Sequence, residues 1–137
     1  MLRPETKARA RALQILYAWE LSGEPPVSAA ASGLARLAGS APVRLDQAEA
    51  LAAGVVAEIG ELDRQAALAA DNWRLNRMAV VERNILRLGV HELRHGQVPP
   101  KVVIDEAVRL AHWFGGAKAP AFINGVLDRI AHTLGRL

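Results

Sequence analysis

Two histidines four residues apart, His91 and His95, could bind a metal ion, because that spacing places both rings on one side of a helix. A metal site needs at least a third ligand, and the sequence does not nominate one. Glu92 lies between the two histidines but does not complete the longer metalloprotease pattern. We therefore predict no metal site and no cofactor, and we expect solvated or helix-end side chains at all four histidines, which are His91, His95, His112 and His132.

The other residues that could support catalysis have simpler structural interpretations. Asp105 and Glu106 follow Pro100 at a predicted helix start, where the helix dipole favours negative charge without any catalytic role. The chain has no cysteine, which excludes a cysteine nucleophile and a cysteine-ligated zinc or iron-sulfur site. The sequence therefore predicts a protein that is not an enzyme.

The basic residues near the start of the chain are more informative. Arg3, Lys7 and Arg11 are spaced by four, so a helix would place them on one side and leave another side free to pack. Charge is also uneven, with a net −2 over residues 1–72 and a net +5 over residues 73–137. A polyanion such as nucleic acid is the partner that this pattern favours, and a merely solvated basic face is the alternative.

Composition places the chain in a broad class. A length of 137 residues with 51% apolar residues is typical of one domain with a real core. The absence of cysteine agrees with a reducing compartment. No apolar run reaches the roughly 18 residues of a membrane span, and the first residues do not resemble a signal peptide. We expect a soluble, cytoplasmic protein.

The spacing of apolar residues is helical throughout and indicates an all-α fold. Charge changes sign near Ala70–Met78, which divides the chain into an N-terminal half of about residues 1–72 and a C-terminal half of about residues 73–137. The predicted helices are about Pro4–Leu21, Ser28–Leu37, Asp46–Trp73 (with Asp46 as N-cap and a bend at Gly60 left open), Asn76–Glu92, Pro100–Gly115 and a last one after Pro120.

Three segments carry a family resemblance: "RARALQILYAWELSG", "VVERNILRLGVHELRHGQVPPKVVIDEAVRLAHWFG" and "FINGVLDRI". In their order and spacing, from Lys7 to Ile130, they resemble the NusB family of bacterial transcription antitermination factors. The resemblance implies a small all-α protein made of two packed bundles of about three helices each, which form one compact domain. It also implies a non-enzymatic role in which the protein binds the boxA element of nascent ribosomal RNA together with NusE, a ribosomal protein of the small subunit.

The resemblance further implies how these partners are used. The complex helps RNA polymerase to read through terminators. No membrane partner is implied. A homodimer of the free protein is left open. The implied RNA contacts are Arg3, Lys7, Arg9, Arg11, Lys118, Phe122 and Asn124, and the implied NusE contacts are Tyr17 and Glu82. The segment Ala117–Ala121 departs from the acidic-Ser-His-Lys stretch that is usual in the family.

The pair Asn124-Gly125 requires an explanation, because Asn-Gly normally marks a turn and a glycine inside a helix costs about 1 kcal/mol relative to alanine. We expect Gly125 to lie where the last helix crosses a neighbour closely. Asn124 would either bond a backbone group near the preceding loop or face RNA. Phe122 would either stack on an unpaired base or belong to the core.

Two alternatives to an antitermination factor are kept. One is the NusB-like RNA-binding domain of ribosomal RNA cytosine methyltransferases. Those domains usually have alanine after the asparagine and a basic residue after "VL", whereas this chain has Gly125 and Asp128, and a methyltransferase domain does not fit in 137 residues. The other is a structural adaptor that has lost RNA binding.

Overall fold

All the regular secondary structure in the described part of the chain is helical. The computed structural model describes residues 3–38, 45–70 and 77–137, and no β-strand occurs in them, which confirms the all-α class. The helices are α1 (Pro4–Leu21), α2 (Val27–Ala38), α3 (Leu45–Ala57), α4 (Ile59–Ala69), α5 (Val80–His95), α6 (Pro100–Phe114) and α7 (Ala119–Thr133). Within these ranges, no helix combines the length and the apolar character that crossing a membrane requires.

The helices group into two compact units, Met1–Ala57 and Glu58–Leu137. In the first unit α1, α2 and α3 all contact one another, and α1 contributes the large buried side chains Leu13, Ile15, Leu16 and Trp19. In the second unit α5, α6 and α7 pack together, and α4 packs on α5 and α7. The second unit thus has four helices rather than about three.

The extra helix arises because the predicted third helix is broken. At Glu58 the backbone has φ −123° and ψ 27°, so α3 ends at Ala57 and α4 begins at Ile59. Gly60, where the sequence leaves a bend open, lies inside α4. Asp46 lies in the first turn of α3 and not at its N-cap, and its negative charge is still favourable there. The apolar pattern continues across the break, which is why the sequence did not reveal it.

The ends of the other helices agree with prediction to different degrees. The bounds of α1 are those predicted, with Pro4 in its first turn. The bounds of α5 are not: it begins at Val80 rather than Asn76 and continues to His95, three residues past the predicted end, where Gly96 terminates it with φ 72°. Residues 71–76, which include the predicted change of charge and composition and the predicted end at Trp73, lie outside the described residues.

The prediction that Gly125 marks a close helix crossing is wrong. Helix α7 continues through Asn124 and Gly125, and a Cβ built on Gly125 would have no atom within 4 Å. The close approach lies instead at Gly89 of α5, where a Cβ would lie 2.7 and 2.9 Å from the two methyl carbons of Leu127. Leu127 is fully buried and Gly125 is partly exposed. The face of α7 that carries Leu127 therefore packs against α5, whereas the face that carries Gly125 is open to solvent.

A partly buried ion pair joins α4 to α5. Arg87 donates from Nε to Asp63 Oδ1 at 2.7 Å and from Nη2 to Oδ2 at 2.9 Å, and its Nη1 donates to Asn84 Oδ1 at 3.1 Å. A bidentate pair of this kind fixes both orientation and distance. It therefore defines how α4, at the start of the second unit, lies against α5, the helix that carries Glu82.

Candidate nucleic-acid interface

One face of α1 carries most of the predicted basic residues. Arg3 is the N-cap, and both Arg3 and Lys7 are exposed. Arg11 is half-buried, and its Nη1 donates a hydrogen bond of 2.9 Å to Gln14 Oε1. An α-helix turns about 100° per residue, so positions spaced by three, four and seven share a face. We call this face the α1 stripe; its residues are Arg3, Lys7, Arg11, Gln14, Tyr17 and Leu21.

The α1 stripe changes character along its length. Its first half is cationic and begins at a helix N-terminus, where the backbone donors add partial positive charge and suit a phosphate group. Its second half is apolar, with Tyr17 42% exposed and Leu21 60% exposed. Contiguous exposed apolar side chains commonly mark a surface that another molecule covers. The sequence-based prediction did not include Gln14 and Leu21 in this face. Their positions would have placed them on it, because Gln14 follows Lys7 by seven residues and Leu21 follows Gln14 by seven.

Arg9 does not lie on the α1 stripe. It is only 9% exposed and already interacts with another group of the protein. Two residues correspond to about 200° of rotation in a helix, so Arg9 is on the side of α1 opposite to Lys7. The motif resemblance had grouped these residues by their closeness in sequence, and the helix separates them. Arg9 is therefore not part of the exposed cationic surface.

A second surface lies in the Glu58–Leu137 unit, at the start of α5 and the loop between α6 and α7. It is a groove of about 500 Å³, which we call the α5–α7 groove. It brings together Glu82, predicted to contact a protein partner, and Lys118 and Phe122, predicted to contact RNA. The groove is lined by Arg77, Met78, Ala79, Glu82, Gly116, Ala117, Lys118, Ala119 and Phe122.

The α5–α7 groove combines charge with an aromatic ring. Arg77 and Lys118 are exposed cations, and Phe122 is half-buried beside them. Cations and an aromatic face are the groups that bind the phosphate and the base of an unpaired nucleotide. Sequence reasoning missed Arg77, and the only signal for it was its place immediately before the conspicuous "ERNILRLG" helix.

Glu82 has a structural contact within this groove. The backbone N–H of Gly116 donates a hydrogen bond of 3.3 Å to Glu82 Oε2. Glu82 lies in the first turn of α5, and Gly116 lies in the loop that leads to α7. The carboxylate therefore helps to fix the loop that presents Lys118, in addition to any contact with a partner.

Asn124 is not part of the groove lining. It lies in the second turn of α7 with an exposed side chain, and no hydrogen bond joins that side chain to the described residues. Of the two alternatives left open for Asn124, the bond to the preceding loop is therefore not observed. Lys118, by contrast, is the N-cap of α7, and its carbonyl accepts a 3.3 Å hydrogen bond from the N–H of Phe122. The start of α7 thus brings together Lys118 and Phe122, two of the three RNA contacts predicted for this unit.

The histidines divide into two groups. His112 and His132 are exposed, as predicted. His91 is not solvated: its side chain is 15% exposed, and its Nδ1 lies 3.1 Å from Glu58 Oε1. Partial burial tends to raise the pKa of Glu58, but hydrogen bonds and charge from His91 and His95 outweigh it, and the net pKa is lowered. Glu58 is thus held as a carboxylate beside the two histidines.

These features define a class of protein: a helical binding protein whose surfaces combine cations with exposed apolar groups. Comparison with known sequences identifies the family, because the model of the NusB family matches residues 6–132. The chain belongs to the NusB family.

Named relatives cover nearly the whole chain. Transcription antitermination protein NusB of Sorangium cellulosum is 42% identical, over 94% of this chain and 92% of the relative. The protein of the same name from Anaeromyxobacter dehalogenans is 43% identical, over 98% and 94%. Among solved structures, the antitermination factors NusB and NusE in complex with dsRNA include a chain that is 31% identical, with a TM-score of 0.82 over 97% of this chain and 99% of that one.

These matches decide between the classes of function considered from the sequence. The relatives are named as transcription antitermination proteins and not as methyltransferases, and alignment to this chain accounts for more than nine-tenths of their length. The prediction of a non-enzymatic antitermination factor is confirmed at the level of the family.

Proposed function

We propose that this protein is an RNA-binding transcription antitermination factor that acts in the cytoplasm. With NusE it binds boxA-type RNA in nascent ribosomal transcripts and promotes read-through by RNA polymerase, using no cofactor. Residues 1–137 act as a single NusB-like RNA-binding domain. The observation that carries this proposal is the family match over residues 6–132. The solved NusB–NusE complex with dsRNA gives it further support.

RNA contact is assigned first to the cationic half of the α1 stripe. Arg3 and Lys7 are exposed, and Arg11 is held along the same face by its bond to Gln14. Such side chains bind phosphate oxygens without regard to sequence, so they supply affinity and not base recognition.

The α5–α7 groove is assigned to an unpaired nucleotide. Lys118 and Arg77 provide charge for a phosphate, and the ring of Phe122 provides a surface on which a base can stack. Asn124 lies two residues further along α7, about 200° around the helix from Phe122, and its exposed amide is available to a different nucleotide.

NusE is assigned to the apolar end of the α1 stripe and to Glu82. Tyr17 is an amphipathic ring with 42% of its surface exposed, and such rings are enriched where proteins meet. Glu82 is half-buried, so a cationic group of the partner could approach its second carboxylate oxygen while Oε2 keeps its bond to Gly116.

The salt dependence of RNA binding tests the phosphate contacts. The variant Lys7→Gln/Arg11→Gln should lower affinity for single-stranded boxA-type RNA and should flatten the plot of log K against log salt concentration. Each phosphate contact in a single strand contributes about 0.7 to that slope, so two lost contacts should reduce it by about 1.4. Fluorescence anisotropy at four or more salt concentrations measures both quantities.

A matched control separates local contacts from the loss of overall charge. Arg64→Gln/Lys101→Gln removes the same charge from exposed positions on α4 and α6, outside both assigned surfaces. It should keep the wild-type slope. An unchanged slope in Lys7→Gln/Arg11→Gln, or equal reductions in the two double variants, would refute the α1 assignment. Co-purification of NusE and RNA with the wild-type chain tests the wider function.

A further inference from the structure

A cluster outside both assigned surfaces contains three groups that metals favour. Glu58 Oε1 lies 3.1 Å from His91 Nδ1, and Glu58 Oε2 lies 3.2 Å from His95 Nε2. One ligand atom from each residue can be chosen so that all three atoms lie within 4.8 Å of one another. Glu58 is thus the third ligand that the sequence spacing of His91 and His95 lacked.

The break between α3 and α4 creates this cluster. Glu58 is the N-cap of α4, and its non-helical backbone turns the chain at this point. His91 and His95 are one helical turn apart near the end of α5, with ring centroids separated by 4.4 Å. Two elements of the same compact unit therefore deliver the ligands, and the Arg87–Asp63 pair holds those elements together.

The ligand set and the distances suit a borderline transition metal. Two imidazole nitrogens and one carboxylate oxygen are common ligands of Zn²⁺, at about 2.0–2.2 Å from the ion. Ligand atoms on a tetrahedral ion at that distance are about 3.4 Å apart. The separations of 3.1 and 3.2 Å between Glu58 and the histidines are similar, but they involve the two different carboxylate oxygens, so the side chains must shift slightly to place one oxygen and both nitrogens around one ion. His95 is 52% exposed, so water can reach the remaining coordination position.

Arg94 is the nearby group that competes with a cation. Its Nε lies 3.4 Å from Glu58 Oε1, and its Nη1 lies 3.3 Å from Glu61 Oε1. Arg94 is partly exposed and already shares its charge between the two carboxylates. It can therefore keep Glu61 as a partner when Glu58 turns to an ion.

We propose that Glu58, His91 and His95 form a binding site for a divalent transition-metal ion, with Zn²⁺ as the best match. The bound ion joins the N-cap of α4 to the last turns of α5. Because an ion that binds only the folded chain stabilises it by mass action, the site makes the stability of the protein depend on the metal concentration. This property is independent of the RNA and NusE surfaces, so its test does not depend on the proposed function.

Calorimetric titration of the untagged, full-length protein with ZnCl₂ tests the site. The wild type should bind one equivalent, and its unfolding temperature should rise with Zn²⁺. The variant His95→Gln should weaken Zn²⁺ binding by at least about tenfold, since even the loss of an outer partner of a metal ligand costs about 10–100-fold. His95 is half exposed, so this variant should fold normally.

The control removes a histidine that has a carboxylate neighbour but, within the described part of the chain, no third ligand. His132 Nδ1 lies 3.7 Å from Asp128 Oδ2 on an exposed face of α7, and His132→Gln should keep wild-type Zn²⁺ binding. Histidine ring NMR signals should show Zn²⁺ shifting His91 and His95 while leaving His112 and His132 in place. No binding at about 1 mM Zn²⁺, or equal binding by the wild type and His95→Gln, would overturn the proposal.

Discussion

The same substitution at two helix-interior glycines should change stability in opposite directions. At Gly125 the methyl group of alanine meets open space, so Gly125→Ala gains helix propensity and should stabilise the protein by about 0.5–1 kcal/mol. At Gly89 the same methyl would lie 2.7 Å from Leu127 Cδ1 and 2.9 Å from Cδ2, well inside ordinary van der Waals contact. Leu127 is fully buried and must shift to make room.

The size of the difference follows from these surroundings. Overpacking a core costs about 1–3 kcal/mol, whereas the gain in helix propensity is at most about 1 kcal/mol. Gly89→Ala should therefore be destabilised by up to about 2 kcal/mol. The two variants should differ by about 1–3 kcal/mol, which for a chain of this size corresponds to roughly 3–12 °C in unfolding temperature. Urea and thermal unfolding followed by circular dichroism measure the difference.

A double variant identifies the contact responsible. Leu127→Val shortens the side chain that the new methyl meets, so it should recover part of the stability lost in Gly89→Ala, a non-additive result expected of residues in contact. If Gly89→Ala proves as stable as Gly125→Ala, the close approach of α5 and α7 at Gly89 is not a real constraint and the packing argument fails.

Three further predictions concern the surfaces and their charges. Glu82→Gln keeps an acceptor for the N–H of Gly116, so it should weaken NusE binding only through the lost charge. Glu82→Ala also removes that acceptor and should loosen the loop as well. Unchanged NusE binding in both variants would show that Glu82 is not part of the interface. Phe122→Ala should weaken RNA binding by about 1–3 kcal/mol in an anisotropy assay, and a stability loss of about 3–5 kcal/mol with normal binding by the folded protein would instead assign the ring to the core. Hydrogen bonds from Arg64 lower the pKa of Glu61 to about 2 from 4.5, so its contribution to stability is present above about pH 4.5 and is lost as the pH falls towards 2. An NMR titration of the Glu61 carboxyl with a midpoint near 4.5 would contradict this.

Local pattern was enough to predict much of the helical architecture. The apolar spacing and the turn residues of "SGEPP" placed α1 at its observed bounds, because helix periodicity and helix stops depend on residues close in sequence. The exposed position of Lys7 follows from the same periodicity. The same periodicity places Arg9 on the buried side of α1, where the structure has it, and an RNA contact by Arg9 stays a prediction of the motif resemblance.

Other features follow only from the tertiary structure, because they depend on contacts between residues far apart in the chain. Glu58 meets His91 and His95 across 33 and 37 residues, and Gly89 meets Leu127 of another helix. Periodicity gives the face on which each residue lies but not the opposite helix or the register of the contact, because ridges and grooves can mesh at more than one position. The sequence therefore determined the helices and their cationic face. Packing decided that the helix is interrupted at Glu58, that Gly89 and not Gly125 lies against another helix, and which side chains share a site.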